Sequence, residues 1–339
     1  MNFKKSITLI IILSVVLKAI FLFISKAYLN LQSFEYEAIA MNMLKGHGYC
    51  LEHFGTNYYA YLPPGFPVLC FLIYKLLGHH QLLVIFAQVI SSSLLVIPVA
   101  IIGRMLFDET TAVLAGFLTA VYPPFIIYST AKLHTLSFDT FIFALCLLSF
   151  MKLRNNIRLK QIILVGVVSG VVILFRATSA VFIVFAVLWF YFTTHYEIKK
   201  KLLIIFAVAG IAAVIISPWL IRSQIIFKNP FLFTTNKFEC FWLGNIPGSS
   251  GSLFTERGIT LLEKHKSDLP LDFFKMDELK QSLCLMELTK GYLKSDPMAF
   301  MGRILKKVYY FWYFSPNQGS AYPVLWMKLY KFLYLLILL

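Results

Sequence analysis

One polar stretch decides how this chain is interpreted: residues 32–67 read QSFEYEAIAMNMLKGHGYCLEHFGTNYYAYLPPGFP. It is rich in aromatic residues, glycine and proline interrupt it, and strongly apolar sequence lies on both sides. Glu35, Glu37 and Glu52 follow a predicted membrane crossing, where a carboxylate must face water or serve a function. The stretch therefore predicts a loop at a membrane surface, held by a membrane scaffold against a second polar segment at residues 223–296.

The composition predicts an all-α polytopic membrane protein. Of the 339 residues, 59% are hydrophobic and only 14% are charged. One soluble domain of this size would need far more charge on its surface. Phenylalanine, tyrosine and tryptophan make up 17% of the chain, which suits a bilayer core and its interfacial aromatic belts.

The net charge of +15 does not indicate a nucleic-acid partner. Lysine and arginine occur in short clusters between apolar runs, which is the pattern that fixes topology against anionic lipid headgroups. The five cysteines lack the C-x-x-C spacing of a zinc or redox site. We therefore expect a membrane as partner, no nucleic acid and no metal site.

The first span is predicted over residues 1–25, since Lys4 and Lys5 precede about twenty mostly apolar residues. Residues 26–28 offer no small-x-small cleavage site, so this segment is interpreted as an uncleaved span with a cytoplasmic N-terminus. The loop at residues 26–80 is then extracytoplasmic. Helical spacing predicts a short interfacial helix over residues 34–44 within it.

About eight transmembrane helices are expected. After the first, the apolar runs that predict crossings are residues 81–102, 112–128, 134–151, 162–175, 180–192, 202–220 and 322–339. The segment at 223–296 becomes a second extracytoplasmic loop with short solvated helices, and residues 297–314 are expected to lie partly in the interface. The last run ends without basic flanking residues, which leaves open a C-terminal truncation or a short relative of a longer protein.

Two arginines depart from the charge pattern. The major basic clusters fall on the predicted cytoplasmic side, whereas Arg176 and Arg222 fall at the outer ends of spans. This placement suggests an anionic partner outside. The alternative is that each side chain extends to lipid phosphate.

Six motifs in this order resemble the bacterial branch of the protein O-mannosyltransferase-like glycosyltransferases. They are FEYEAIAMNMLKGHGY at 34–49, YLPPGFP at 61–67, YPPFIIYS at 122–129, GVVILFRA at 170–177, SPWLIRS at 217–223 and LGNIPGSSG at 243–251. The resemblance covers nearly the whole chain. It implies the C-type glycosyltransferase fold, here as a single transmembrane domain over residues 1–339.

The resemblance also implies a function. Such enzymes transfer a sugar from a polyprenyl-phosphate carrier to a protein, lipid or glycan acceptor at the outer face of the membrane, here the bacterial inner membrane. Arg176 and Arg222 are then placed to hold the phosphate, and a carboxylate of the first outer loop is expected to act as base. That assigns Glu35 as the catalytic residue and the lipid-linked sugar as donor substrate, with no further cofactor.

The chain departs from the family pattern at several positions. The family's aspartate is replaced by Gln32, which cannot accept a proton. Where relatives carry a second acid near the start of the fourth span, this chain reads KLHTLSFD at residues 132–139. His134 is a candidate substitute as a hydrogen-bonding group, Asp139 lies about one helical turn deeper, and Lys132 is its nearest basic neighbour in sequence. Leu62 stands where some relatives have a basic residue before the paired prolines.

Three further residues are candidates for substrate binding. Tyr36 is either an interfacial anchor or a sugar contact. Pro64 belongs to a rigid turn that places its neighbours with little ordering entropy. Asn245 either shapes its turn or contacts the donor.

Two alternatives to an active transferase remain. A degenerate relative would keep the fold and bind lipid-linked sugar without turnover, which Gln32 favours. A transporter or flippase for the same lipid is disfavoured, because its polar residues are expected near the membrane midplane instead of at one interface.

Overall fold

The structure is a computed structural model that describes residues 2–29, 31–229, 232–249, 260–312 and 324–338. The chain forms two compact units. Unit 1 consists of residues 1–49 and 63–233, and unit 2 consists of residues 50–62 and 234–339. The predicted single transmembrane domain stays a prediction.

Unit 1 is helical. Its helices are α1 Phe3–Ile24, α2 Glu35–Leu44, α3 Gly65–Leu77, α4 Gln81–Leu94, α5 Val96–Leu106, α6 Glu109–Val121, α7 Pro123–Thr130, α8 Leu136–Asn155, α9 Leu159–Phe175, α10 Ser179–Thr193 and α11 Ile198–Phe227. The helix predicted over residues 34–44 is confirmed as α2, with Phe34 in an extended conformation just before it.

Four helices of the described chain are long and apolar enough to cross a membrane: α1, α4 with α5, α8 and α11. The pair α6 and α7 bends by 44° and makes a fifth if it is counted as one span. Helices α9 and α10 have 17 and 15 residues, which is short for a perpendicular crossing of about twenty residues. A membrane protein is therefore supported, and the count of about eight spans stays a prediction.

Helices α9 and α11 pack closely because two glycines face two isoleucines. A Cβ atom on Gly166 would lie 2.6 Å from Cβ of Ile211, and one on Gly170 would lie 2.6 Å from Cβ of Ile215. Small residues four apart allow helix backbones to approach each other in a membrane, where no hydrophobic force drives association. This pair holds the end of α9 in place, where Arg176 follows.

Helix α11 continues through Pro218. A proline lacks the N–H that would bond the carbonyl four residues earlier, here Val214. The hydroxyl of Ser217 donates to that carbonyl at 2.8 Å. The freed acceptor is thus satisfied, as lipid surroundings require.

A fully buried lysine lies within α1. Lys18 Nζ donates to Ser14 Oγ at 2.5 Å and to Ser93 Oγ of α4 at 3.3 Å. Because an unsatisfied ammonium is costly in an apolar interior, the two hydroxyls fix α1 against α4 at this level.

Unit 2 contains the exception to the all-α prediction. Strands β1 Leu51–His53 and β2 Thr56–Tyr58 form an antiparallel hairpin. Phe54 and Gly55, with φ of 48° and 76°, form the two-residue turn that suits the twist of a hairpin. The expectation of helices alone was therefore wrong in this segment, since the turn depends on a left-handed phenylalanine that the sequence does not signal.

The remaining elements of unit 2 are helices. They are α12 Asn236–Asn245, α13 Leu261–Lys264, α14 Glu278–Ser295, α15 Pro297–Trp312 and α16 Val324–Leu338. A core of Trp242, Ile246, Leu261, Phe273 and Leu285 joins α12, α13 and α14. Cys240 and Cys284 form no disulfide bond with each other.

Candidate functional site

The segment before α2 is fixed to the link between α7 and α8. The N–H of Gln32 donates to the carbonyl of Ala131 at 3.2 Å, and the N–H of Leu133 donates to the carbonyl of Gln32 at 2.9 Å. These bonds form a parallel bridge between Gln32 and Lys132. Two predicted site residues, 100 positions apart in the chain, therefore lie side by side.

A buried amide on α4 holds the same link. Gln88 Nε2 donates to the carbonyls of Tyr128 and Lys132 at 3.1 and 2.8 Å. Its Oε1 accepts from the N–H of His134 at 3.2 Å. Gln88 is fully buried, so all three bonds are shielded from water and fix the backbone that carries Lys132 and His134.

The His134 ring lies among aromatic rings. Its centroid is 5.9 Å from Phe34, 5.7 Å from Tyr36 and 5.1 Å from Tyr128, each in an edge-to-face arrangement. His134 Nδ1 accepts from the N–H of Leu136 at 3.1 Å. The neutral ring therefore carries its proton on Nε2 and can donate one hydrogen bond.

Burial lowers the pKa of His134 to about 4, and the nearby positive charges of Arg176 and Lys132 add to this shift. The ring is therefore neutral at pH 7. A hydrogen-bonding role for His134 stays a prediction.

Arg176 is held by Asp139. Its Nε and Nη2 donate to Asp139 Oδ2 at 2.8 and 2.6 Å, and the Thr135 hydroxyl donates to Oδ1 at 2.6 Å. The carboxylate is 6% exposed and the guanidinium side chain is 47% exposed. Asp139 therefore forms its ion pair with Arg176. The basic residue nearest to Asp139 in the sequence is Lys132.

The paired prolines pack beside Arg176. Pro64 precedes α3, and a Cβ atom on Gly65 would lie 2.5 Å from Cδ2 of Phe175 and 2.9 Å from the carbonyl of Leu174. Only glycine allows this approach of α3 to the end of α9. The PPG motif therefore fixes the backbone on which Arg176 follows.

Arg222 has a different environment. Its Nη2 donates to the carbonyl of Tyr49 at 2.8 Å, and its guanidinium lies 5.3 and 4.9 Å from the ring centroids of Tyr49 and Trp219. The Tyr49 hydroxyl donates to the carbonyl of Pro63 at 3.3 Å. Arg222 is thus linked to Pro63 through Tyr49, whereas Gly65 of the same turn packs against Phe175, the residue before Arg176.

The two glutamates of α2 differ in environment. Glu35 begins α2, is exposed, and makes no hydrogen bond or ion pair with the described residues. Glu37 is buried and accepts from Tyr74 Oη at 2.9 Å and Gln81 Nε2 at 2.7 Å, while His79 Nε2 lies 3.3 Å away. Glu37 is therefore occupied by protein contacts, and Glu35 is the glutamate of this helix that remains available to substrate.

Asn245 lies in unit 2, at the end of α12. Its Nδ2 donates to the carbonyl of Phe241 at 2.7 Å, and its Oδ1 accepts from Lys307 Nζ at 3.0 Å. The side chain is buried, and its hydrogen bond to Phe241 satisfies a carbonyl in the last turn of α12. A donor-binding role for Asn245 stays a prediction.

Unit 1 therefore brings most predicted site residues into one region. They are Gln32, Tyr36, Pro64, Lys132, His134, Asp139 and Arg176, with Arg222 linked through the proline turn. Among the described residues, no group of three or more His, Cys, Asp or Glu side chains is arranged to hold a metal ion.

The sequence interpretation missed three residues that organise this region: Gln88, Thr135 and Tyr49. Gln88 offered a signal, because an amide inside an apolar span needs a partner. Thr135 and Tyr49 offered none, since a threonine near a helix start and an aromatic residue near an interface are common.

Residues 62–221 match the model of the family described as dolichyl-phosphate-mannose-protein mannosyltransferase. Neither the curated proteins nor the solved structures include a significant match to this chain. The predicted mannosyltransferase-like resemblance is thus confirmed over that range, whereas the bacterial branch and the C-type fold stay predictions.

Proposed function

From the match of residues 62–221 to the mannosyltransferase family and the apolar helices, we propose that this chain is a membrane glycosyltransferase. It transfers a sugar from a polyprenyl-phosphate donor to a protein, lipid or glycan acceptor. We place the reaction at the extracytoplasmic face of a bacterial inner membrane, with the N-terminus in the cytoplasm. The positive-inside pattern supports this orientation.

The single observation that carries the proposal is the half-exposed guanidinium of Arg176, oriented by a buried carboxylate. Asp139 takes two of its donors, and within the described chain its Nη1 remains free for a ligand. A planar guanidinium that is already oriented suits phosphate recognition. Lys132 adds a second positive charge nearby, since it acts on His134 together with Arg176.

The proposed chemistry uses this charge at the leaving group. As the bond between the anomeric carbon and the phosphate oxygen breaks, negative charge grows on the polyprenyl phosphate, and Arg176 stabilises it. The acceptor hydroxyl forms the new bond to the anomeric carbon and loses its proton to Glu35. His134 can donate Nε2–H to a sugar hydroxyl, and Tyr36 packs beside it.

One observation favours a second candidate, the degenerate relative that binds lipid-linked sugar without turnover. The family's aspartate position is occupied by Gln32, whose backbone is fixed in the bridge to Lys132. An amide there can hold a sugar hydroxyl and cannot take a proton. In this case the Arg176 site would bind donor while transfer is lost.

The two candidates are distinguished by turnover of purified protein in lipid nanodiscs with labelled polyprenyl-phosphate mannose. We expect Glu35→Gln to reduce transfer by about 10²-fold or more, with donor binding retained. Glu52→Gln, an exposed glutamate of the same sequence stretch, is the matched control and should keep full activity. Equal activity of both variants would remove Glu35 from the base role.

The phosphate role of Arg176 is tested separately by donor binding. Arg176→Ala should weaken binding of polyprenyl-phosphate sugar on the order of tenfold or more, and Arg176→Lys should recover part of the loss. Binding without transfer, together with activity gained in Gln32→Asp, would establish the degenerate relative. Unchanged donor binding in Arg176→Ala would overturn the phosphate site for both candidates.

A further inference from the structure

A second polar site lies at the other end of α8. A depression of about 380 Å³ is lined by Arg154 and Asn155 from the last turn of α8 and by residues 193–196, which run from the last residue of α10 into the loop before α11. Arg154 follows Asp139 by fifteen positions on the same helix, which corresponds to roughly 22 Å along its axis. The depression is therefore separate from the Arg176 site.

This end of the helices is strongly basic. Residues 152–160 contain four lysines and arginines, and residues 199–201 are three lysines, against one acid, Glu197. Arg154 is exposed in the depression itself, and His195 is the second basic side chain of the lining. The local field thus favours an anion.

Three cations at this end lie over aromatic rings. The Arg154 guanidinium lies 5.3 Å from the ring centroid of Trp189. Two lysines make the same contact, Lys200 at 4.6 Å over Tyr196 and Lys201 at 5.2 Å over Tyr191. Tryptophan and tyrosine beside cations are typical of the headgroup layer of a membrane.

Exposed apolar side chains lie near the ends of the helices that meet at this basic end. Phe192 at the end of α10 is 76% exposed, Leu203 of α11 is 71% exposed, and Leu159 at the start of α9 is 73% exposed. Such side chains suit acyl chains next to the polar lining. A ligand that uses both the basic lining and these apolar side chains carries an anionic headgroup and a hydrocarbon tail.

We propose that this depression binds one anionic phospholipid, with its phosphate against Arg154 and His195 and its acyl chains along the exposed apolar side chains of these helix ends. Free phosphate would satisfy only the polar half of the site. Polybasic surfaces at cytoplasmic span ends commonly attract anionic lipids, and a lined depression adds a defined place for one headgroup. The proposal does not depend on the sugar-transfer function.

The test uses the purified full chain in detergent, with native mass spectrometry of bound lipid and thermal unfolding as two measurements. Phosphatidylglycerol should bind and raise Tm, whereas phosphatidylcholine and free glycerol phosphate should not. Arg154→Gln and His195→Gln should each weaken phosphatidylglycerol binding roughly tenfold. Lys160→Gln, an exposed basic residue at the same end outside the depression, is the matched control.

Three results would overturn the proposal. Equal losses in Arg154→Gln and Lys160→Gln would show a diffuse charge effect without a site. Equal Tm gains with glycerol phosphate would show an ordinary phosphate site, and equal gains with phosphatidylcholine would show that the headgroup charge is not recognised. The Tm measured without lipid shows whether each variant is folded. If Arg154→Gln is unfolded, Arg154→Lys is used in its place, and Arg154→Lys should keep most of the phosphatidylglycerol binding.

Discussion

The packing of α9 against α11 allows a quantitative prediction at Gly170. In Gly170→Ala the new Cβ would lie 2.6 Å from Cβ of Ile215, 2.8 Å from its Cγ2 and 3.0 Å from the carbonyl of Ala212. Ordinary carbon contacts need about 3.5–4.0 Å, so the two helices must separate by roughly 1 Å. Overpacking of this kind costs about 1–3 kcal/mol.

Gly210→Ala is the matched control. Gly210 lies within α11, and a Cβ there would meet nothing within 4 Å. Both substitutions gain the same helix propensity, up to about 1 kcal/mol, so their difference isolates the overpacking. We expect Gly210→Ala to be neutral or stabilising and Gly170→Ala to be about 1–3 kcal/mol less stable than the control.

The assay is thermal unfolding of both variants in one detergent. At about 2 °C per kcal/mol for a chain of this size, their Tm values should differ by roughly 2–6 °C. Gly166→Ala should behave like Gly170→Ala, since its Cβ would lie 2.6 Å from Cβ of Ile211. Equal Tm values for Gly170→Ala and Gly210→Ala would refute the close α9–α11 crossing.

Three further predictions concern polar contacts. Gln88→Leu removes three buried hydrogen bonds and should lower the free energy of unfolding by roughly 1–3 kcal/mol. A Tm equal to that of the parent protein would show that these bonds do not stabilise the link between α7 and α8. Asp139→Asn should release Arg176 and raise the KM for the lipid-linked donor, and an unchanged KM would show that the pair does not orient the guanidinium. Hydrogen bonds from Tyr292 and His265 depress the pKa of Asp268 below its ordinary 3.8, so its stabilising contribution is present above pH 3.8 and is lost as the pH falls through the depressed value. Asp268→Asn should therefore lower Tm at pH 7 and lose this effect in acid; a constant difference across the pH range would contradict it.

The sequence by itself determined the class of protein and the positions of its local elements. Apolar runs and basic clusters predicted the membrane, and α1, α2 and α8 were found close to their predicted bounds. These features depend on composition and on residues within a few helical turns of each other. The order of residues in the sequence is therefore enough to predict them. The order of short motifs predicted the resemblance to the mannosyltransferase-like family, which the family model matches over residues 62–221. Each motif is local, so a linear sequence is enough to show it.

Tertiary structure alone decided which of these local features meet. Asp139 pairs with Arg176, 37 positions away, and Gln32 meets Lys132, 100 positions away. Such contacts depend on helix rotation and on close approaches such as that of Gly65 to Phe175, which periodicity does not specify. The same reason separates Glu35 from Glu37: they lie two residues apart on one helix, and only the packing of α3 decides which one is buried.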